Sequence, residues 1–159
     1  MPVDDDDFEY VGFWVRVGAS LIDTVLVLVV LTPLLLAIYG RAYFDNALSG
    51  VSSGSLDGLF NYVLPAVVVI LFWLTKQATP GKMVFRARVV DARSGETLGV
   101  AQSIGRYLGY FVAIIPFCLG LIWVGLDARK QGWHDKLAGT VVIRPKRRGT
   151  EPVRFAKKL

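Results

Sequence analysis

The sequence predicts an all-α membrane protein with two transmembrane helices, a third helical stretch that either spans or re-enters, and a small cytoplasmic β-hairpin. Three observations predict it. Of 159 residues, 53% are hydrophobic and the mean hydropathy is +0.48, too apolar for an ordinary soluble domain. The apolar residues are blocked into three uncharged stretches, Thr24 to Gly40, Gly58 to Thr75 and Tyr107 to Leu126, each near the roughly 20 residues that span a bilayer core. Finally, the charge is partitioned. Lys76 to Arg106 carries six basic and two acidic residues, the chain from Asp127 onward ten and three, and Arg41 to Asp57 one and two. Positive charge stays in the cytoplasm, so the first two segments belong inside and the third outside.

The length fits one domain. Residues 1–12 read as a disordered acidic tail, Asp4 to Asp7 and Glu9, closed by interfacial aromatics. That acidic start is unlike the basic head of a cleavable signal peptide, so the first helix is expected to remain as an anchor with its N-terminus in the cytoplasm.

The first helix runs from about Phe13 to Tyr39, with Pro33 inside it. Two opposite charges enter it. Arg16 and Asp23 sit seven residues apart, close to two turns, and therefore share a face with Ser20 between them. Their Cα atoms would be roughly 10 Å apart along the axis, too far for an easy direct salt bridge. An ionisable group in the bilayer costs roughly 2.5–3.5 kcal/mol on the insertion scale, so each needs a partner on another segment or at the interface. Arg16 snorkelling to headgroups, and Asp23 as a structural partner of a basic residue, are the plainer readings.

The second helix spans about Leu56 to Thr75, with Asn61 and Pro65 near its outer end, and Lys76 to Lys82 makes a Pro-Gly turn. Val84 to Val90 then alternates apolar and basic residues, the period of a half-exposed strand. Asp91 to Thr97 turns, and Leu98 to Val100 begins the returning arm of the hairpin, whose Arg86 and Arg88 face anionic lipid.

The third stretch has basic segments on both sides, which a single crossing cannot satisfy. Pro116 and Gly120 offer a break into two half-helices that re-enter over residues 104–126, and a kinked span of about 20 residues is the alternative. Gly105 and Gly109 permit close helix approach. Trp133 anchors a short interfacial turn before a β-like Thr140 to Ile143 piece, and residues 145–159 form a basic disordered tail with Lys146, Arg147 and Arg148 directed to lipid. Headgroup attraction explains that tail more simply than nucleic acid, so no nucleic-acid partner is expected.

Taken together, these residues resemble the RDD family of bacterial membrane proteins, named for one arginine and two aspartates. The resemblance covers residues 13–144. Its parts are Arg16 and Asp23, Thr79-Pro-Gly-Lys82 with Val89-Val-Asp91, Arg106, and Trp133-His-Asp135 through Thr140-Val-Val. It implies that Arg16, Asp23 and Asp135 are the name-giving trio, with Asp127 a rival for the last place. A transport role, including sodium/proton exchange, is proposed for some members.

Two functions follow as expectations. In the first, Asp23, with Asp127 or Asp135, binds Na+ or H+ while Arg16 tunes its pKa, and a homo-oligomer encloses the pathway. In the second, a non-transporting accessory or scaffold protein binds anionic lipid or a partner protein. Enzyme activity is not expected: His134-Asp135 is the sole acid/base pair, without nucleophile or ligand cluster, so no catalytic residue, metal or cofactor is assigned. Cys118 is the one cysteine, which excludes an intrachain disulfide. Polar pairings are expected between Asp23 and Arg106 and between Arg16 and Asp135.

Overall fold

The computed structural model describes residues 7–41 and 63–146. The outer loop, Asn61, the outer end of the second helix, Arg147 and Arg148 lie outside the described residues. In chain order the elements are strand β1 (Phe8–Tyr10), helix α1 (Phe13–Tyr39), α2 (Leu64–Lys76), α3 (Pro80–Val84), β2 (Arg88–Asp91), α4 (Val100–Ile114), α5 (Leu119–Leu126), α6 (Trp133–Ala138) and β3 (Thr140–Pro145).

α1 has the bounds expected from the sequence and continues through Pro33. Its flank from Val25 to Val30 is 41–64% exposed, a burden in water that lipid removes. Phe13–Ala37 and Leu64–Val84 are long and apolar enough to cross a bilayer. The second stretch includes the turn at Gln77–Thr79, so its regular helix stops at Lys76.

The expected hairpin is not formed, and the fold is not all-α. β2 pairs instead with β3, and β3 with β1, giving an antiparallel three-stranded sheet in the order β1-β3-β2. Val141, Val142 and Ile143 are almost completely buried, and a strand covered on both faces needs neighbours on both edges. The Val84–Val90 alternation is cut short because α3 occupies its start and Arg86 adopts a left-handed φ of 55°. Leu98 to Val100 leads into α4, where the Gly99 N–H donates to Gln102 Oε1 at 3.1 Å. The acidic tail is also partly ordered: Phe8, Glu9 and Tyr10 pair with Pro145, Arg144 and Ile143, and Arg144 Nε donates to Glu9 Oε1 at 2.5 Å.

Val89 and Val142 of the sheet, with Val11 just after β1, pack with Trp73 of α2, while Val90, Val141 and Ile143 cluster with Phe8 and Tyr10 of β1 within the sheet. Its topology constrains the third stretch. β1 precedes α1, β2 follows α2 and β3 follows α5, yet all three share one sheet, so they lie on one side of any bilayer that α1 and α2 cross. If α1 and α2 each cross, the α4–α5 pair makes no net crossing. It is bent by 100° at the break after Ile114, where Phe117 and Cys118 take φ of 51° and 60°. The tip is apolar and open, with Ile115 at 80% and Phe117 at 92% exposure.

Candidate functional site: a buried charge cluster at the foot of the helices

Asp135 is the hub. It lies in the first turn of α6 and is fully buried. Its Oδ2 accepts from the Gly132 N–H at 3.1 Å, which closes the N-terminus of its own helix. The same oxygen accepts from Arg16 Nη1, and Arg106 Nη2 lies 2.8 Å from Oδ1. Arg16 is held from every side: Nε donates to the Val11 carbonyl at 3.0 Å and Nη2 to the Lys130 carbonyl at 2.5 Å. One side chain thus ties α1 to the sheet edge, the loop before α6 and α6 itself.

Arg106 is held differently. Although its charge is paired, its Nε, Nη1 and Nη2 make no well-directed hydrogen bond. The guanidinium instead lies 4.8 Å from the Trp73 ring centroid and 6.0 Å from that of Tyr110, contacts worth about 2 kcal/mol when desolvated. The column continues through Tyr110 to His134, stacked at 4.0 Å. α4 comes this close to α6 because of Gly109, where a Cβ would stand 2.9 Å from His134 Cα. Gly105, by contrast, has nothing within 4 Å of a built Cβ, so only one glycine of the expected pair serves close approach.

Burial would push the Asp135 carboxyl up, but Arg16 and Arg106 outweigh it and hold the group well below the usual carboxylate range. Burial pushes His134 down to about 3, against the pull of Asp135 and with the push of the two arginines. The ring is therefore neutral at pH 7, so its 3.4 Å approach to Asp135 is not an ion pair.

Asp23 does not face Arg106. Its carboxylate caps α3: Oδ2 accepts from the Thr79 hydroxyl and Oδ1 from the Gly81 N–H, each at 2.6 Å. A helix N-terminus offers unpaired N–H groups and partial positive charge, so a carboxylate from another element suits it. The Thr79-Pro-Gly-Lys82 sequence now has a physical account. Thr79 supplies the extended N-cap and Pro80 the first helical position. At Gly81 a Cβ would lie 2.0 Å from the Ala19 carbonyl oxygen, which leaves room only for glycine. The next residue, Lys82, is turned inward and buried.

A family model described as the RDD family matches residues 10–139. The chain belongs to the RDD family. Relatives span the RDD chain to different extents. The uncharacterized protein YxaI of Bacillus subtilis is 30% identical over 83% of this chain and 95% of its own length. An uncharacterized membrane protein of the same organism, YteJ, is 28% identical over 86% and 82%. An uncharacterized protein of Rickettsia prowazekii is 34% identical over 54% of this chain, which spans about half of that relative. No solved structure matches the chain. With its family and its apolar helices, this is an RDD membrane protein.

Within the RDD fold, Arg16, Arg106 and Asp135 converge, while Asp23 lies apart from them as a helix cap. Asp127 is in neither group. It pairs with Lys136 at the surface and accepts from the Gln131 and Arg129 N–H groups at 3.1 and 3.2 Å. Arg86, Arg88 and Lys146 are exposed on or beside the sheet. Sequence reasoning missed Lys82, Trp73, Tyr110 and the roles of Thr79 and Gly81. A lysine directly after a Pro-Gly turn, facing an aspartate-bearing apolar helix, was the available signal for Lys82.

Proposed function

We propose that the RDD chain is a non-transporting protein of the bacterial inner membrane that binds anionic lipid at its cytoplasmic face. The observation that carries this reading is that the carboxylates proposed for ion exchange are already committed to the chain's own donors, buried Asp135 to two arginines and half-buried Asp23 to Thr79 and Gly81. An exchanging carboxylate must release such partners for each ion. Arg86 and Lys146, by contrast, are exposed to meet a ligand, beside Arg144, which is paired with Glu9. A groove of about 440 Å³ beside the sheet is lined by Arg86, Arg144 and Lys146 on one side and by Val15 and Val84 on the other, the mixture an interfacial headgroup requires. The positive-inside rule supports placing the sheet, and with it both ends of the fold, in the cytoplasm. His134 and Asp135 act here as packing and pairing groups, which supports a binding role over an enzymatic one.

A second reading, a Na+ or H+ carrier built as a homo-oligomer, draws on one observation: Asp23 is half-buried in an apolar helix and makes no ion pair among the described residues. Reconstitution separates the two. Purified protein in sealed vesicles is expected to enrich phosphatidylglycerol around itself and to leave an imposed pH gradient intact when Na+ is added. Dissipation of that gradient by the wild type but not by Asp23→Asn would establish the carrier and refute the lipid-binding reading.

A further inference from the structure

Between α1 and α5 lies a cavity of about 300 Å³, at the lower end of the range for small-molecule sites. One wall is apolar, formed by residues such as Val17 and Leu121, and its floor carries Arg16, Lys82 and His134. Three features of the floor bear on what it takes. Lys82 is 6% exposed, yet among the described residues its ammonium makes one hydrogen bond, to the Thr79 hydroxyl at 3.4 Å, and no ion pair. His134 is 2% exposed, and neither ring nitrogen has a hydrogen-bond partner. Finally, the cations Arg16, Lys82 and Arg106 stand against the carboxylates Asp23 and Asp135, so one positive charge is uncompensated. A buried charge without a close counterion is costly, and among the described residues no carboxylate lies within ion-pair distance of Lys82, although Asp23 acts on it from further off.

We propose that this cavity binds the phosphodiester of a monoanionic phospholipid, with Lys82 as its counterion, the His134 ring as a donor and an acyl chain along the apolar wall. Arg16 contributes charge alone, because its donors are engaged by Val11, Lys130 and Asp135. Leu21 and Ile122, which line the cavity, are 62% and 48% exposed; the cavity therefore opens sideways onto the apolar flank of α1, where a lipid enters without leaving the bilayer. This rests on the lipid-binding reading above but names a second, internal site distinct from the basic groove.

The test is titration of the detergent-purified full chain with phosphatidylglycerol, phosphatidylethanolamine or oleate, followed by native mass spectrometry. Wild type is expected to retain one phosphatidylglycerol with at least tenfold preference over phosphatidylethanolamine. Lys82→Gln is expected to remove that preference and Lys82→Arg to restore most of it. Val17→Trp, which fills the cavity without altering charge, is expected to lose the bound lipid even if Lys82→Gln proves too unstable to assay. The paired change Arg86→Gln and Lys146→Gln is expected to leave this tight site within twofold. If the preference survives Val17→Trp and Lys82→Gln but vanishes with the paired surface change, the cavity site is overturned while the lipid-binding reading stands. If oleate displaces phosphatidylglycerol stoichiometrically, the phosphodiester assignment is wrong. If wild type shows no preference for phosphatidylglycerol, both proposals fail.

Discussion

Replacing Asp135 by Asn is the most informative perturbation of the cluster, because the two side chains have nearly the same shape. The amide oxygen can still accept from Gly132, so the end of α6 is preserved. What is lost is the single negative charge that faces Arg16 and Arg106, leaving two buried guanidiniums beside each other. Removing one partner of a buried ion pair costs about 3–5 kcal/mol. In a chain of this size each kcal/mol moves the melting temperature by about 2–4 °C, so Asp135→Asn is expected to lower it by about 6–20 °C. The assay is thermal aggregation of the detergent-solubilised protein, read by size exclusion at one fixed heating schedule. The decisive comparison is a double-mutant cycle. Arg106→Met in the Asp135→Asn background removes a repelling charge, so the double variant is expected to be more stable than the sum of the single losses by about 0.5–3 kcal/mol. A loss under about 1 kcal/mol for Asp135→Asn, or strict additivity in the cycle, would refute the view that charge pairing holds these segments together.

Three further outcomes are expected. Gly81→Ala forces a Cβ onto the Ala19 carbonyl and is expected to cost about 1–3 kcal/mol; a melting temperature equal to wild type would show that α3 does not dock so closely on α1. His134 is neutral in both folded and unfolded chains above pH 6.5, but as pH falls towards about 3 only the unfolded chain takes up the proton. Stability is therefore expected to drop by about 1.4 kcal/mol per pH unit through that window, and His134→Phe, which keeps the stack on Tyr110, to flatten the slope between pH 6.5 and 5 in thermal scans. Reporters fused to the N- and C-termini are expected to signal from the same side of the membrane, and opposite sides would mean that the α4–α5 pair crosses.

The legibility of this chain differed sharply between its helices and its sheet. α1 was readable because a long apolar run has few alternatives, and the break near Pro116 because proline and glycine interrupt a helix whatever surrounds them. The Arg16–Asp135 pairing was readable because a charge spaced too far from its neighbour must find a partner elsewhere. The role of Asp23 was hidden, since its partners are a hydroxyl and a main-chain N–H, and sequence does not advertise where a helix N-terminus lies in space. The strand partners were hidden for a related reason. β2 has a turn directly after it, which invites a local hairpin, whereas the buried run Val141 to Ile143 makes β3 the strand that needs two neighbours. Arg106 looked like a mate for Asp23 by charge alone; the aromatic bed of Trp73 and Tyr110 carries it to Asp135 instead.

The central position of β3 also sets a schedule for biosynthesis. Arg16 and Asp135 are 119 residues apart, so at 5–20 residues per second Asp135 is made about 6–24 s after the arginine it neutralises. Until then β1 and β2 have no shared neighbour, and Arg16 lacks the carboxylate that pairs with it. Closure of the sheet and discharge of that arginine are one late event. A chain that stops before residue 135 has both of its long apolar helices but lacks the carboxylate that Arg16 and Arg106 share and the central strand of the sheet.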